Sequence, residues 1–78
     1  MARVLLFGRL ADVAGWRERV VEGASLADLR AALSADPDLA RALAGKGVQV
    51  AVDRAIVRGE TALTAASEVA FMPPMSGG

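Results

Sequence analysis

The sequence predicts an α+β fold in which one principal helix lies across one face of a mixed β-sheet. Three observations carry this. Arg3-Val4-Leu5-Leu6-Phe7 opens the chain as a nearly unbroken apolar run, and Glu68-Val69-Ala70-Phe71-Met72 forms another near its end. Such runs suit central strands, covered on both faces or packed on one side by a helix. Between them, Ser25 to Leu33 carries the clearest helix signals, with strand-like segments on either side. At 78 residues the chain is one domain at most, and its 54% hydrophobic content is enough for a core. There is no cysteine, so that core must hold the fold without disulfides.

Taken in order, the first strand stops at Gly8. Arg9 to Ala14 fits a short helical turn with Leu10, Val13 and Ala14 on its inner side, closed by Gly15. Trp16 to Val21 mixes charge with Val20 and Val21, as an edge strand with one wet face does. Arg17, Glu18 and Arg19 read as a solvated face. Ser25 is placed to cap the main helix, with Asp28 three residues later in capping-box position and in the favourable first turn. Leu26, Leu29 and Leu33 follow at helical spacing with Ala32 between them, and Asp28 and Arg30 face outward. Asp36-Pro37 signals a second, shorter helix carrying Leu39 and Leu43 and ended by Gly45. Lys46-Gly47 turns into the alternating strand Val48 to Val52, Asp53-Arg54 turns again, and Ile56-Val57 returns briefly. Gly59 to Ser67 has no clear period; Leu63 is its expected core anchor. Glu68 to Met72 is the last strand.

Charge and residue types exclude several function classes. Nine basic residues balance nine acidic ones, and neither sign forms a run. Nucleic acid needs a basic patch to neutralise phosphates, and an anionic membrane surface needs a basic amphipathic face. No apolar stretch approaches the roughly 20 residues of a membrane span, and the N-terminus lacks a signal-peptide pattern. The expectation is a cytoplasmic protein with neither nucleic acid nor membrane as partner. His, Cys and Tyr are all absent. Without His or Cys there is no Cys nucleophile and no Ser–His pair, and metal sites lose their commonest ligands. The nine carboxylates are scattered and form no recognisable pair. No turnover is expected from this chain alone, and no metal.

The distinctive stretch is the end, Met72-Pro73-Pro74-Met75-Ser76-Gly77-Gly78. A terminal glycine pair would arise by chance in roughly one chain in two hundred. Pro73 and Pro74 bias the tail towards an extended form, which over residues 73–78 reaches about 20 Å. Gly77 and Gly78 have no Cβ, so this end suits a narrow channel and can present its carboxylate inside another protein's site. The expected division is a globular domain over residues 1–72 and a flexible tail over residues 73–78. Strand alternation puts Phe71 and Met72 on opposite faces. Phe71 is the core candidate, while Met72, Met75 and Phe7 are candidates for a contact surface beside the tail, since methionine adapts to irregular pockets.

These stretches resemble the MoaD family, the small sulfur-carrier subunit of molybdopterin synthase. The likeness rests on Val4-Leu5-Leu6-Phe7-Gly8-Arg9-Leu10, on Ser25-Leu26-Ala27-Asp28-Leu29, and above all on Glu68 through Gly78. The aromatic-x-Pro-Pro-x-Ser-Gly-Gly ending is far more specific than Gly-Gly alone, which ubiquitin-like modifiers share. The sequence departs from the family pattern at Ala66-Ser67, at Ala11, where a charged residue is frequent, and at Asp53, where asparagine is common.

The resemblance implies a β-grasp, ubiquitin-like fold and a chemical cycle centred on Gly78. An activating enzyme of the MoeB type would adenylate the Gly78 carboxylate with ATP, which that partner binds, so no cofactor is expected on this chain. A sulfur donor would displace AMP to leave a thiocarboxylate. The tail, Pro73, Pro74, Met75, Ser76, Gly77 and Gly78, would then enter a large synthase subunit of the MoaE type, with Met72 and Phe7 beside it. There it would give sulfur to the cyclic pyranopterin precursor of molybdopterin. The same carrier chemistry would serve thiamine, cysteine or tRNA thiolation. A different class, a protein modifier joined through Gly78 to lysines, shares the ending, and a passive interaction module fits the composition but leaves the glycine pair unexplained.

Overall fold

A computed structural model describes residues 2–74. Its elements run β1 (Ala2–Leu6), α1 (Arg9–Ala14), β2 (Glu18–Val21), α2 (Leu26–Leu33), α3 (Pro37–Leu43), β3 (Gln49–Val52), β4 (Ala55–Val57) and β5 (Glu68–Met72). The five strands form one sheet in the order β2-β1-β5-β3-β4. The first and last strands pair in parallel at its centre, and the other neighbours are antiparallel. This is the mixed sheet of a β-grasp fold, with the helices on one face.

Alternation along the strands sorts the apolar residues between the two faces. Val4, Leu6, Val69, Phe71 and Val50 point to the helix side and are buried, together with Leu10 of α1, Leu26, Leu29 and Leu33 of α2, and Leu39 and Leu43 of α3. Phe71 is the largest fully buried side chain. The Arg30 guanidinium lies 5.4 Å from its ring centroid, so this helix residue covers the core edge with a cation–π contact instead of facing only solvent.

The α2 start is closed by both local and distant groups. Ser25 Oγ accepts from the Asp28 amide at 3.2 Å, and the Asp28 carboxylate accepts from Ala24 N, one residue earlier than an ideal capping box requires. The Ala27 amide donates to Glu60 Oε1 at 3.1 Å and the Leu26 amide to the Thr61 carbonyl. The period-free segment before β5 is therefore a strap docked on the helix N-terminus, satisfying amides that a helix start leaves open. Leu63 anchors it in the core as expected. At α3, Asp36 Oδ1 accepts from the amides of Asp38 and Leu39, with Pro37 in the first turn.

Two inner-face expectations are corrected. In α1, Ala11 is buried and Val13 is 37% exposed, because the short helix presents Leu10 and Ala11 to the core. Ala11 is a packing residue, turned inward against the core. In α2, Ala32 is exposed; the buried stripe is the three leucines alone. Arg17, Glu18 and Arg19 are exposed as expected, though Arg19 covers Trp16 at 4.6 Å and Glu18 pairs with Arg3 at 3.4 Å. Asp53 and Arg54 both take positive φ, 50° and 71°, in the tight turn between β3 and β4. Asp53 Oδ1 also accepts from Glu68 N at 3.0 Å, tying that turn to the start of β5. At the Ala66-Ser67 departure, Ser67 is buried and its Oγ accepts from the Thr64 amide at 2.9 Å, closing the strap with a local turn.

Candidate functional site: the tail root and its two flanking surfaces

The last described residues emerge from the centre of the sheet, since β5 lies between β1 and β3. Phe7 continues the β1–β5 pairing past the end of β1, its amide donating to the Phe71 carbonyl at 3.2 Å. Pro73 and Pro74 then pass over two glycines that hold positive φ. A methyl group placed on Gly8 (φ +56°) would lie 3.0 Å from Pro73 Cγ. One placed on Gly47 (φ +82°) would lie 2.7 Å from Pro74 Cβ, closer than real Cβ contacts come. These glycines serve two ends at once: they make the turns at α1 and before β3, and they leave notches in which the proline rings sit. With φ of the prolines fixed by their rings, the notches fix the path of Pro73 and Pro74.

One side of this root is the helix-free face of the sheet. Leu5, Phe7, Ala51, Ile56, Ala70 and Met72 line a shallow apolar depression there, bordered by Arg54 and Glu68. Phe7 is 47% exposed and Ile56 49%. The alternation that buries Phe71 turns Met72 onto this open face, where it lines the same depression as Phe7. An apolar, solvent-facing patch beside the last described residues is a protein-docking geometry.

The other side is a groove of about 600 Å³ between α1, α3 and the turn before β3. Its floor includes Leu10, Ala42, Val48 and the two prolines, and its rim carries Arg9, Arg41 and Lys46 against a single acid, Asp38. Sequence reading misses this cluster because Arg9 lies some thirty residues from Asp38, Arg41 and Lys46; only the packing of α1 against α3 assembles them. The roles of Gly8 and Gly47 are also missed. Their identity as turn glycines is legible, but nothing local reveals that prolines some 27 and 65 residues later come to rest on them.

Among the described residues, no group of three His, Cys, Asp or Glu side chains could hold a metal ion. No helix among them is long and apolar enough to cross a membrane. The predicted tail residues Met75, Ser76, Gly77 and Gly78 lie outside the described residues.

Comparison with known proteins places this geometry in context. The family model described as the ThiS family matches residues 4–78. Among solved structures, the chain is similar to small archaeal modifier protein 1 from Haloferax volcanii, at 32% identity and a TM-score of 0.79 over 99% of this chain and 98% of that one. It is similar to the small archaeal modifier protein 1 of Methanosarcina acetivorans at 24% identity and a TM-score of 0.86, covering 99% and 95%. It also matches a chain in the complex of subunits 1 and 2 of the molybdopterin-converting factor from Helicobacter pylori 26695, at 20% identity and a TM-score of 0.76, covering 99% and 97%. The last two likenesses, below 25% identity, show the fold alone. No curated protein matches the chain. With a sheet of ubiquitin-like topology, Pro73 and Pro74 following its central strand and a family model matched from the first strand to Gly78, the chain belongs to the ThiS family, the ubiquitin-like sulfur carriers of the ThiS and MoaD types.

Proposed function

We propose that the chain is the sulfur-carrier subunit of a molybdopterin synthase, working in the cytoplasm and loaded at Gly78. The observation that carries this reading is the tail root: a Pro-Pro-x-Ser-Gly-Gly ending that leaves the central strand over two glycine notches, beside an open apolar face containing Phe7 and Met72. A carboxylate is a poor electrophile because its oxygen is a bad leaving group. An adenylating partner of the MoeB type attaches AMP from ATP to the Gly78 carboxylate, releasing pyrophosphate. Hydrosulfide from a sulfur donor then attacks the acyl carbon, the bond to AMP breaks, AMP departs with its electron pair, and loss of the S–H proton leaves a thiocarboxylate.

The chain's own contribution is to present and release that end. The apolar face seats a partner, the notched prolines aim the tail, and Ser76-Gly77-Gly78 has the slimness to enter a large subunit of the MoaE type, where sulfur passes to the pyranopterin precursor. The Helicobacter pylori complex of converting-factor subunits supports a large-subunit partner by fold likeness. The acids, bases and nucleotide site for each step reside on the partners, consistent with a chain that contains neither His nor Cys.

A specific observation favours a second reading: at 32% identity over nearly its whole length, the chain is similar to a small archaeal modifier protein. In that reading, activated Gly78 forms an amide with lysines of target proteins. Intact mass spectrometry after incubation with a cognate activating enzyme, ATP and a sulfur donor tests the carrier reading. The expected product has one oxygen replaced by sulfur at the C-terminus, and a chain lacking Gly78 gains none. Sulfur uptake by the truncated chain would overturn the proposal. Gel-shifted adducts that depend on Gly78 would favour the modifier.

A further inference from the structure

The groove on the helix side of the tail root has no part in the reading above. It collects three of the chain's nine basic residues, Arg9, Arg41 and Lys46, with one acid, in a chain of zero net charge. All three cations are exposed. The described residues contain one ion pair, Arg3 with Glu18, and it lies elsewhere on the sheet. The cations come from three different elements and surround an apolar floor that includes Pro73 and Pro74. A free phosphate or other bare anion would leave that floor unused, whereas a peptide carrying both acidic and apolar side chains would engage the rim and the floor together.

We propose that this groove docks an acidic segment of the activating enzyme that takes up the tail for adenylation. The apolar sheet face and the basic groove then grip the root from opposite sides, one by burial and the other by charge. Charges at such a rim act chiefly on encounter and orientation, so their removal shows in association and in salt dependence. The proposal rests on the tail-presenting function only for the identity of the partner; the groove's preference for acidic peptide can be measured without it.

The first experiment is a titration of the ¹⁵N-labelled full chain with the peptide Glu-Glu-Leu-Glu-Glu, followed by amide chemical shifts. Inorganic phosphate and Lys-Lys-Leu-Lys-Lys serve as comparison probes. The expected result is saturable shifts centred on Arg9, Arg41, Lys46 and Gly47, abolished by added salt of about 0.5 M, where screening falls to a few ångströms. They should also vanish in the double variant Arg9→Glu/Lys46→Glu. Arg9 opens α1, where a glutamate suits the helix dipole, Lys46 lies in the turn after α3, and an unchanged spread of amide shifts confirms the fold. Arg9→Gln/Lys46→Gln, which removes charge without reversing it, should give an intermediate loss. Absence of shifts, equal shifts around Arg17, Arg54 and Arg58, or the same response to phosphate alone would overturn the proposal.

The second experiment uses the activating enzyme. The double reversal should lower kcat/KM for adenylation on the order of tenfold with kcat retained, and the salt dependence seen with the unmodified chain should flatten. An unchanged kcat/KM would overturn the docking role. Failure of the unmodified chain to be adenylated would refute the carrier reading instead, and leaves the peptide titration as the test of the groove.

Discussion

The two faces of the sheet are built from the same strands and nearly the same residue types, yet they have opposite fates. On the helix side, Val4, Leu6, Val69 and Phe71 are at most 3% exposed. One position along each strand, Leu5, Phe7, Ala70 and Met72 look out onto a face that no described element covers; Phe7 is 47% exposed and the other three are half-buried. A small domain has few apolar residues to leave in water. The difference therefore separates what holds the fold from what is available to a partner: hydrophobicity is shared by both faces, and full burial of the large side chains belongs to one.

Aromatic truncation should break this comparison most sharply. Phe71→Ala removes the largest fully buried side chain and should cost about 3–5 kcal/mol, enough to unfold much of a small domain. Phe7→Ala, on the open face, should cost less than about 1 kcal/mol in the same denaturant titration while weakening partner binding. Equal losses at the two positions would mean that the open face is part of the core after all.

A smaller effect sharpens the account of the tail root. Gly15 and Gly47 share the same φ of +82°, but a methyl group on Gly15 meets nothing within 4 Å and one on Gly47 meets Pro74 at 2.7 Å. Both alanine variants should lose about 1–2 kcal/mol to the left-handed backbone. Gly47→Ala should lose a further ~1 kcal/mol or more from crowding and shift the amide resonances flanking Pro74. If the two variants are equally destabilised, the notch does not hold the proline.

The smallest effect concerns the open face's own charges. Arg3 and Glu18 pair at 3.4 Å with side chains 50% and 55% exposed. Glu18→Gln should move stability by no more than about 0.5 kcal/mol in either direction, and less still at high salt. A larger loss would show that this pair organises the β1–β2 edge.

Much of this protein is settled by local sequence. The element order, the caps at Ser25 and Asp36, the leucine stripe of α2 and the opposite orientation of Phe71 and Met72 all follow from short-range rules, because capping and strand alternation act over a few residues. The resemblance in the tail motif carried the functional reading, and the family match over residues 4–78 agrees with it at the level of a ubiquitin-like sulfur carrier. Packing decided the rest. A helix as short as α1 gives too few turns to define its inner face, so the choice of Ala11 over Val13 depended on what it packs against. The strap from Gly59 to Ser67 has no period of its own because its order comes from α2, through Glu60 and Thr61 on amides more than thirty residues earlier. The same holds at the functional end. The proline pair and glycine pair are legible as letters, but the notches at Gly8 and Gly47 and the cluster of Arg9, Arg41 and Lys46 exist only once distant segments meet.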